Sequence, residues 1–309
     1  MEALSVLAAS STGIGAWCAI RGDRGAGGRV LGIAQRSLYC ELGQQIVCVG
    51  TEEMGRGPLN VLLPRAEWAF LRDAVGRGDI VGFGSYAAEG RVIVQCREAT
   101  VFKQGLSLSP LVRLPELRRI REFAAKRGRG PLVPVIRSSA GEDRTALTFE
   151  GVVADRVTRS LGLLRESWQG CNSLSTIQKA VRGLIGIGPG STPSGDDVLV
   201  GYLGGLELSG QMNSRARRLY AEHRTVLADA IQFTSPISRA HLEWAIRGFY
   251  SESFLELLES LKQPGMRKIE SCLSRVVEQG ASSGTDTIVG LVSALEHGKE
   301  EKYDNHAFG

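Results

Sequence analysis

Two rhythms of apolar and polar positions divide the chain. In the first third, apolar residues come in short β-branched runs separated by glycine clusters: Arg29–Ile33, Gln45–Val49, Asp79–Phe83 and Arg91–Cys96. Short runs of this kind, bounded by turn formers, predict strands. Gly25–Gly28 and Gly55–Pro58 supply turns, and Glu89-Gly90 reads as a hairpin turn ahead of Val92. One helix is expected near Ala66–Val75. A small barrel or sandwich suits this half.

Beyond Glu150 the apolar spacing becomes helical. It predicts helices over Val152–Leu164, Ser175–Leu184, Ser194–Leu208, Ser214–Phe233, Ile237–Phe249, Glu252–Leu261, Met266–Gln279 and Ser283–His297. Gly210 and Gly298 read as stops just past two of them. Between the halves, Pro115–Arg129 is helical and basic (Arg118, Arg119, Arg121, Lys126, Arg127, Arg129) and leads into a linker at Gly128–Pro134. The expected fold class is α+β: a β-rich domain over residues 1–112, a basic helix and linker over 113–150, and an all-α domain over 151–309.

Composition narrows the partners. With 43% hydrophobic and 23% charged residues the chain is globular, and 37 Lys+Arg against 33 Asp+Glu leave a formal charge of only +4. So small an excess does not argue for nucleic acid, and only Phe123 interleaves the basic run as a stacking platform. No stretch approaches the roughly 18 apolar residues of a membrane span, and Met1–Ile20 lacks a basic leader region. Six scattered cysteines (Cys18, Cys40, Cys48, Cys96, Cys171, Cys272) without a CxxC pair read as free thiols in a reducing compartment, so a cytoplasmic location is expected. His223, His241, His297 and His306 share no metal-ligand spacing and read as surface or helix-end residues.

Chemistry concentrates in Gly186-Ile187-Gly188-Pro189-Gly190-Ser191-Thr192-Pro193-Ser194-Gly195-Asp196-Asp197, which runs directly into the apolar stretch Val198–Leu208. A glycine-rich loop opening a helix offers unpaired N–H groups and the positive end of a helix dipole, a setting that favours an anion. Gly188, Gly190, Ser191, Thr192, Ser194 and Gly195 are the candidate ligand-binding residues. Asp196 and Asp197 add acceptors able to take a proton or hold a cation, with Mg²⁺ the candidate cofactor. The loop is neither a Walker A sequence nor a Rossmann GxGxxG after a strand. A plainer reading also fits: Ser194 with Asp197 three residues later resembles a capping box.

The segment has an echo. Ser194–Gly201 recurs 89 residues later as Ser283–Gly290, with Ser, Gly, the second acid, Val and the final Gly in common. Two related helices are therefore expected to pack with their N-termini on one pocket, which adds Ser283, Gly284 and Asp286 to the site. Two similar caps on unrelated helices is the other reading. Thr234–Arg239 is a hydroxyl-rich helix start whose Ser238 and Arg239 could serve an anionic ligand. No GxSxG elbow and no Cys/His pair presents itself.

From Leu184 to Gly201 the sequence resembles the hallmark LxGxGPGxTPSGDDxLxG of a bacterial family loosely named carboxylases, which includes the third subunit of the oxamate carbamoyltransferase of allantoin degradation. Ser191 stands where leucine is commoner. Ser283–Gly290 resembles the family's SGxDxxxG segment, and Ser235–Ser238 its T-x-x-S segment. Gly28–Ser37 and Gly57-Pro58 resemble its β-rich start, although Leu31-Gly32-Ile33-Ala34 replaces a common His-Ser pair. The resemblance implies a subunit of an enzyme that exchanges oxalurate and phosphate with oxamate and carbamoyl phosphate. It also implies partner subunits and a small anionic ligand. On that reading the loop N–H groups hold the anion, Asp196, Asp197 and Asp286 hold a cation or orient the substrate, and Arg239 neutralises charge. A stand-alone Mg²⁺-dependent phosphoryl-transfer or nucleotide-binding enzyme, or a non-catalytic scaffold subunit, would suit the same loop.

Overall fold

The computed structural model describes residues 4–22, 27–84, 92–107, 117–137, 148–169, 173–211, 213–262 and 265–304. They form two units, Met1–Gly105 with Phe249–Glu252, and Leu106–Gly248 with Ser253–Gly309.

The first unit is one mixed nine-stranded sheet, an open half-barrel. Its strands are β1 (Ser5–Ala8), β2 (Ser11–Gly13), β3 (Gly28–Ile33), β4 (Ser37–Leu42), β5 (Gln45–Thr51), β6 (Asn60–Leu63), β7 (Ile80–Phe83), β8 (Val92–Gln95) and β9 (Thr100–Phe102). Their spatial order is β1-β8-β7-β3-β4-β5-β6-β2-β9. The four expected runs are β3, β5, β7 and β8. The expected turn at Glu89-Gly90 lies outside the described residues, as do Gly25 and Ala26 of the Gly25–Gly28 turn.

β4 and β5 form a tight antiparallel hairpin with Leu42 opposite Gln45. Gly43 turns the chain at φ +60°, a conformation that favours glycine. β4 alternates, burying Leu38, Cys40 and Leu42, whereas β5 is buried from Ile46 to Thr51 on both faces. Helices α1 (Ile14–Gly22) and α2 (Arg65–Ala74) pack against β5, which explains the unbroken apolar run. At the start of α1, the N–H groups of Gly15 and Ala16 donate to the Pro58 carbonyl at 2.8 and 3.0 Å. The Gly57-Pro58 turn therefore satisfies donors that a helix start otherwise leaves open.

The second unit is helical: α3 (Leu117–Arg127), α4 (Val133–Arg137), α5 (Phe149–Gln169), α6 (Ser173–Leu184), α7 (Ser194–Gly210), α8 (Ser214–Ala230), α9 (Pro236–Ile246), α10 (Glu252–Ser260), α11 (Met266–Val277) and α12 (Ser283–Asp304). Each predicted helix is present with small shifts of its ends, and α4 is additional. Asn213 caps α8, its Oδ1 accepting from the N–H groups of Arg215 at 2.8 Å and Ala216 at 3.2 Å. The apolar α7 is buried on nearly every side, with α12 packed along it.

Two local expectations are corrected. Gly298 does not stop its helix: α12 runs on to Asp304, and Gly298 sits where a Cβ would come within 3.1 Å of the Trp168 ring. Nor are His223 and His297 surface residues, since both are buried in the helical core. Trp168 Nε1 donates to the Tyr202 hydroxyl at 2.9 Å, and that hydroxyl lies 3.0 Å from His297 Nδ1. The His223 ring stacks on Tyr202 with centroids 5.2 Å apart. Burial lowers the His223 pKa to about 4 and that of His297 to about 3, so both rings are neutral parts of the core. The five described cysteines are free. Burial pushes the Cys40, Cys48 and Cys96 thiols up to about 12, the chemistry of inert packing groups.

Candidate functional site

The loop between α6 and α7 is built on glycine geometry. Gly186, Gly188 and Gly190 have φ of +70°, +115° and +94°, left-handed conformations that side chains with a Cβ rarely adopt. A Cβ on Gly188 would also come within 2.8 Å of the Ser194 nitrogen, whereas Gly190 faces open space. The loop closes on itself where the Gly195 N–H donates to the Ile187 carbonyl at 2.9 Å. Among the described residues, the N–H groups of Gly188, Gly190, Ser191 and Thr192 have no acceptor within the chain. Gly195 thus spends its donor inside the loop, and the available donors lie ahead of it.

The capping-box reading of Ser194 fails. Pro193 holds the cap position without a side-chain cap bond, and Ser194 is the first residue inside α7. Its hydroxyl is buried without a regular hydrogen-bond partner and lies beside the Asp286 carboxyl.

Asp196 is a buried clasp. Its Oδ1 accepts the Gly186 N–H at 2.8 Å. Its Oδ2 accepts the Ser238 hydroxyl at 2.6 Å and the Thr234 hydroxyl. One carboxylate therefore joins the start of the loop to the start of α9, whose cap Ser235 accepts from the Ser238 N–H at 3.0 Å. The Ser235 hydroxyl in turn donates to the Ser191 carbonyl at 2.5 Å. Burial raises the Asp196 pKa, and its three donors draw it back.

The echo in sequence is a pairing in space. A Cβ on Gly201 would overlap the Thr287 carbonyl, and one on Gly290 would overlap the Val198 carbonyl. The two contacts are reciprocal under the 89-residue offset, so α7 and α12 run parallel and cross at these glycines. The turns before them correspond as well. A Cβ on Gly195 would strike the Leu184 carbonyl at the end of α6, and one on Gly284 would strike the Val276 carbonyl at the end of α11. Both helix starts thus face the same way, and Thr192 Oγ1 lies 3.0 Å from Ser283 Oγ between them.

Asp197 and Asp286 occupy corresponding places, four residues before each crossing glycine. Asp286 is fully buried, and Asp197 is half-buried with its Oδ2 out of reach of solvent. Burial, then the charge of Asp286, push Asp197 well above the usual carboxylate range, while the Ser283 and Thr192 hydroxyls draw it down. Burial raises Asp286 to about 7 against the pull of Ser194 and Ser282. These hydroxyls act from close range only: no hydrogen bond of regular geometry reaches Asp286 Oδ1, Asp286 Oδ2 or Asp197 Oδ2.

Arg239 is placed differently from expectation. Its Nε and a terminal nitrogen each lie 3.3 Å from a carbonyl, that of Ile231 and that of Gln232. The guanidinium closes the end of the preceding helical turn. Sequence reasoning placed Arg129 only in the basic run and not at the site. Arg129, just past α3, is exposed, and its N–H donates to Thr285 Oγ1 at 3.0 Å in the first turn of α12. Gly128 and Gly130 permit the approach, since a Cβ on either would crowd Thr285 or Ser282. The paired glycines in Arg127-Gly128-Arg129-Gly130 were the available signal. Thr234 was also missed, although it adjoins the hydroxyl-rich start of α9.

An α+β chain in which a glycine-rich loop and two parallel helix starts surround buried carboxyls is the class that fold and geometry define. Residues 184–295, from the end of α6 into α12, match the family model described as oxamate carbamoyltransferase subunit AllH. This agrees with the resemblance carried by Leu184–Gly201. The nine strands lie outside the matched segment. No solved structure matches the chain. Among the described residues, no helix is long and apolar enough to cross a membrane.

Proposed function

We propose that this chain is a subunit of a carbamoyltransferase of the oxamate type, and that it binds a small anionic carboxylate or carbamoyl phosphate where α7 and α12 begin. The observation that carries the reading is the convergence of two parallel helix starts on the Thr192–Ser283 contact, within the segment that matches the family model. Helix N-termini favour anions through open N–H groups and the macrodipole. Here the Gly188, Gly190, Ser191 and Thr192 N–H groups face no acceptor among the described residues, and the Ser283 hydroxyl adjoins Thr192. Arg129, whose main-chain N–H meets Thr285 in the first turn of α12, is exposed and is the candidate cation of the site. Asp196 acts as a positioning residue, because its carboxylate is engaged by the loop and by α9.

In the implied reaction the amide nitrogen of oxamate attacks the carbamoyl carbon of carbamoyl phosphate. The C–O bond to phosphate breaks, a proton leaves the nitrogen, and oxalurate and orthophosphate result. Holding the phosphate in a fixed cradle of neutral donors stabilises the leaving charge without a matching change in protein charge. The other subunits of the complex are the expected partners. The test is reconstitution with those subunits and assay of carbamoyl phosphate formed from oxalurate and orthophosphate. Turnover should require this chain and fall at least about tenfold with Gly188→Ala, about 1.4 kcal/mol of lost stabilisation. Full turnover without the chain would refute the assignment. Full turnover with the variant would make the chain a scaffold.

A further inference from the structure

We propose that Asp197, Asp286 and Ser194 form a binding site for one hard divalent cation, of the Mg²⁺ or Ca²⁺ class, between the first turns of α7 and α12. The inference goes beyond the anion reading and stands without it. It rests on four oxygens. Both carboxyl oxygens of Asp286, Oδ2 of Asp197 and the Ser194 hydroxyl are shielded from solvent, and none has a regular hydrogen-bond partner. Asp286 is 0% exposed and Ser194 1%. Native structures rarely leave such groups unsatisfied, and each asks for an explanation such as an ion or an ordered water.

The chemistry of the oxygens selects the occupant. Asp197 and Asp286 are near enough for one charge to act on the other, yet no hydrogen bond joins their carboxyls. A cation bridging the two carboxyls would satisfy both at once. Two carboxylates carry −2, which one divalent cation balances. The helix dipoles stabilise that negative ligand set and do not need to welcome the cation directly. Among the described residues, no group of three or more His, Cys, Asp or Glu side chains is placed to hold a metal. That excludes the nitrogen and sulfur cage of zinc from this place. A hard cation bound by two carboxylates, with hydroxyls or retained water completing its shell, fits instead.

The ligand set also differs from the adjacent pair Asp196 and Asp197 suggested by sequence. Asp196 is engaged by Gly186, Thr234 and Ser238 and belongs to the scaffold of the site.

The experiment is calorimetric titration of MgCl₂ and CaCl₂ into the full, chelator-treated chain at constant ionic strength. One saturable site per chain is expected in the wild type. Asp286→Asn and Asp197→Asn should each weaken binding at least about a hundredfold, roughly the loss of one charged ligand. Ser194→Ala, which keeps both charges, should weaken it about tenfold, and serves if an aspartate variant fails to give a cooperative melt. No saturable site in the wild type would overturn the proposal. So would affinity unchanged in Ser194→Ala together with either aspartate variant. Orthophosphate titrated in the presence of chelator reports the anion reading separately, so the failure of one leaves the other readable.

Discussion

Gly201 and Gly290 interlock: each gives up a side chain so that a carbonyl of the opposite helix, Thr287 or Val198, can take its place. The reciprocity turns an 89-residue repeat in the sequence into a local two-fold relation in space. It also fixes the starts of α7 and α12 side by side, and with them Asp197 and Asp286.

The crossing is therefore intolerant of a single methyl group. Gly→Ala inside a helix ordinarily gains about 1 kcal/mol. Overlap with backbone at either glycine outweighs that gain, because backbone cannot rotate away as a side chain can. Gly201→Ala and Gly290→Ala should each lose at least about 2 kcal/mol in chemical denaturation. The double variant should lose less than the sum, since both act at one crossing. Neutral or stabilising effects would mean that the helices do not meet there.

Asp196 provides the second test. Asp196→Ala strands the Gly186 N–H and the Ser238 and Thr234 hydroxyls, and should cost about 2–4 kcal/mol. A simple helix-start acid would contribute about 0.3–1 kcal/mol. A loss within that smaller range would return Asp196 to a dipole role.

Much of this was legible in sequence, and what was not has physical causes. The helices beyond Glu150 announced themselves through long apolar periodicity, whereas the short α1 and α4 did not, and the echo already paired Asp197 with Asp286 in the sequence. β4 was missed although Leu38, Cys40 and Leu42 alternate inward, because Ser37–Leu42 holds no β-branched residue. β1, β2, β6 and β9 are only three or four residues long, too short to show a period. The clasp at Asp196 was invisible because its partners Thr234 and Ser238 lie 38 and 42 residues away. Arg239 looked available for a ligand, but its guanidinium meets the Ile231 and Gln232 carbonyls, which no sequence spacing advertises. His223 and His297 are core residues only because Tyr202 and Trp168 come to them from other helices.

Those histidines set a pH dependence. Their folded pKa values, about 4 and about 3, lie below the usual 6.5, so the unfolded chain binds more protons between the two values. Stability then rises with pH up to about 6.5 and is lost as pH falls toward 4. In the chelator-treated chain Asp286 acts with the opposite sign: raised to about 7, it makes stability fall as pH climbs from its ordinary carboxylate value to 7. Urea midpoints from pH 4.5 to 7.5 separate the two. His297→Gln should remove part of the low-pH loss, and Asp286→Asn should remove the decline toward neutral pH. A wild-type profile unaltered by either variant would refute both assignments.

The two arginines should separate cleanly. Arg129→Ala should weaken orthophosphate or carbamoyl phosphate binding about tenfold with little change in melting, the loss of one exposed charge near the ligand. Arg239→Ala should lower the melting temperature and leave binding nearly intact, because that side chain holds backbone carbonyls. The reverse pattern would restore Arg239 as the ligand's cation.

The central claim, an anion held by the loop that opens α7, is tested most directly by titrating carbamoyl phosphate into the isolated chain and into Gly188→Ala. The alanine cannot hold φ +115° without strain, and its Cβ crowds the Ser194 nitrogen, so the cradle must change shape while the helices remain. The account predicts saturable binding to the wild type that weakens at least about tenfold in a variant that still melts cooperatively. Equal affinity in the two proteins would contradict it.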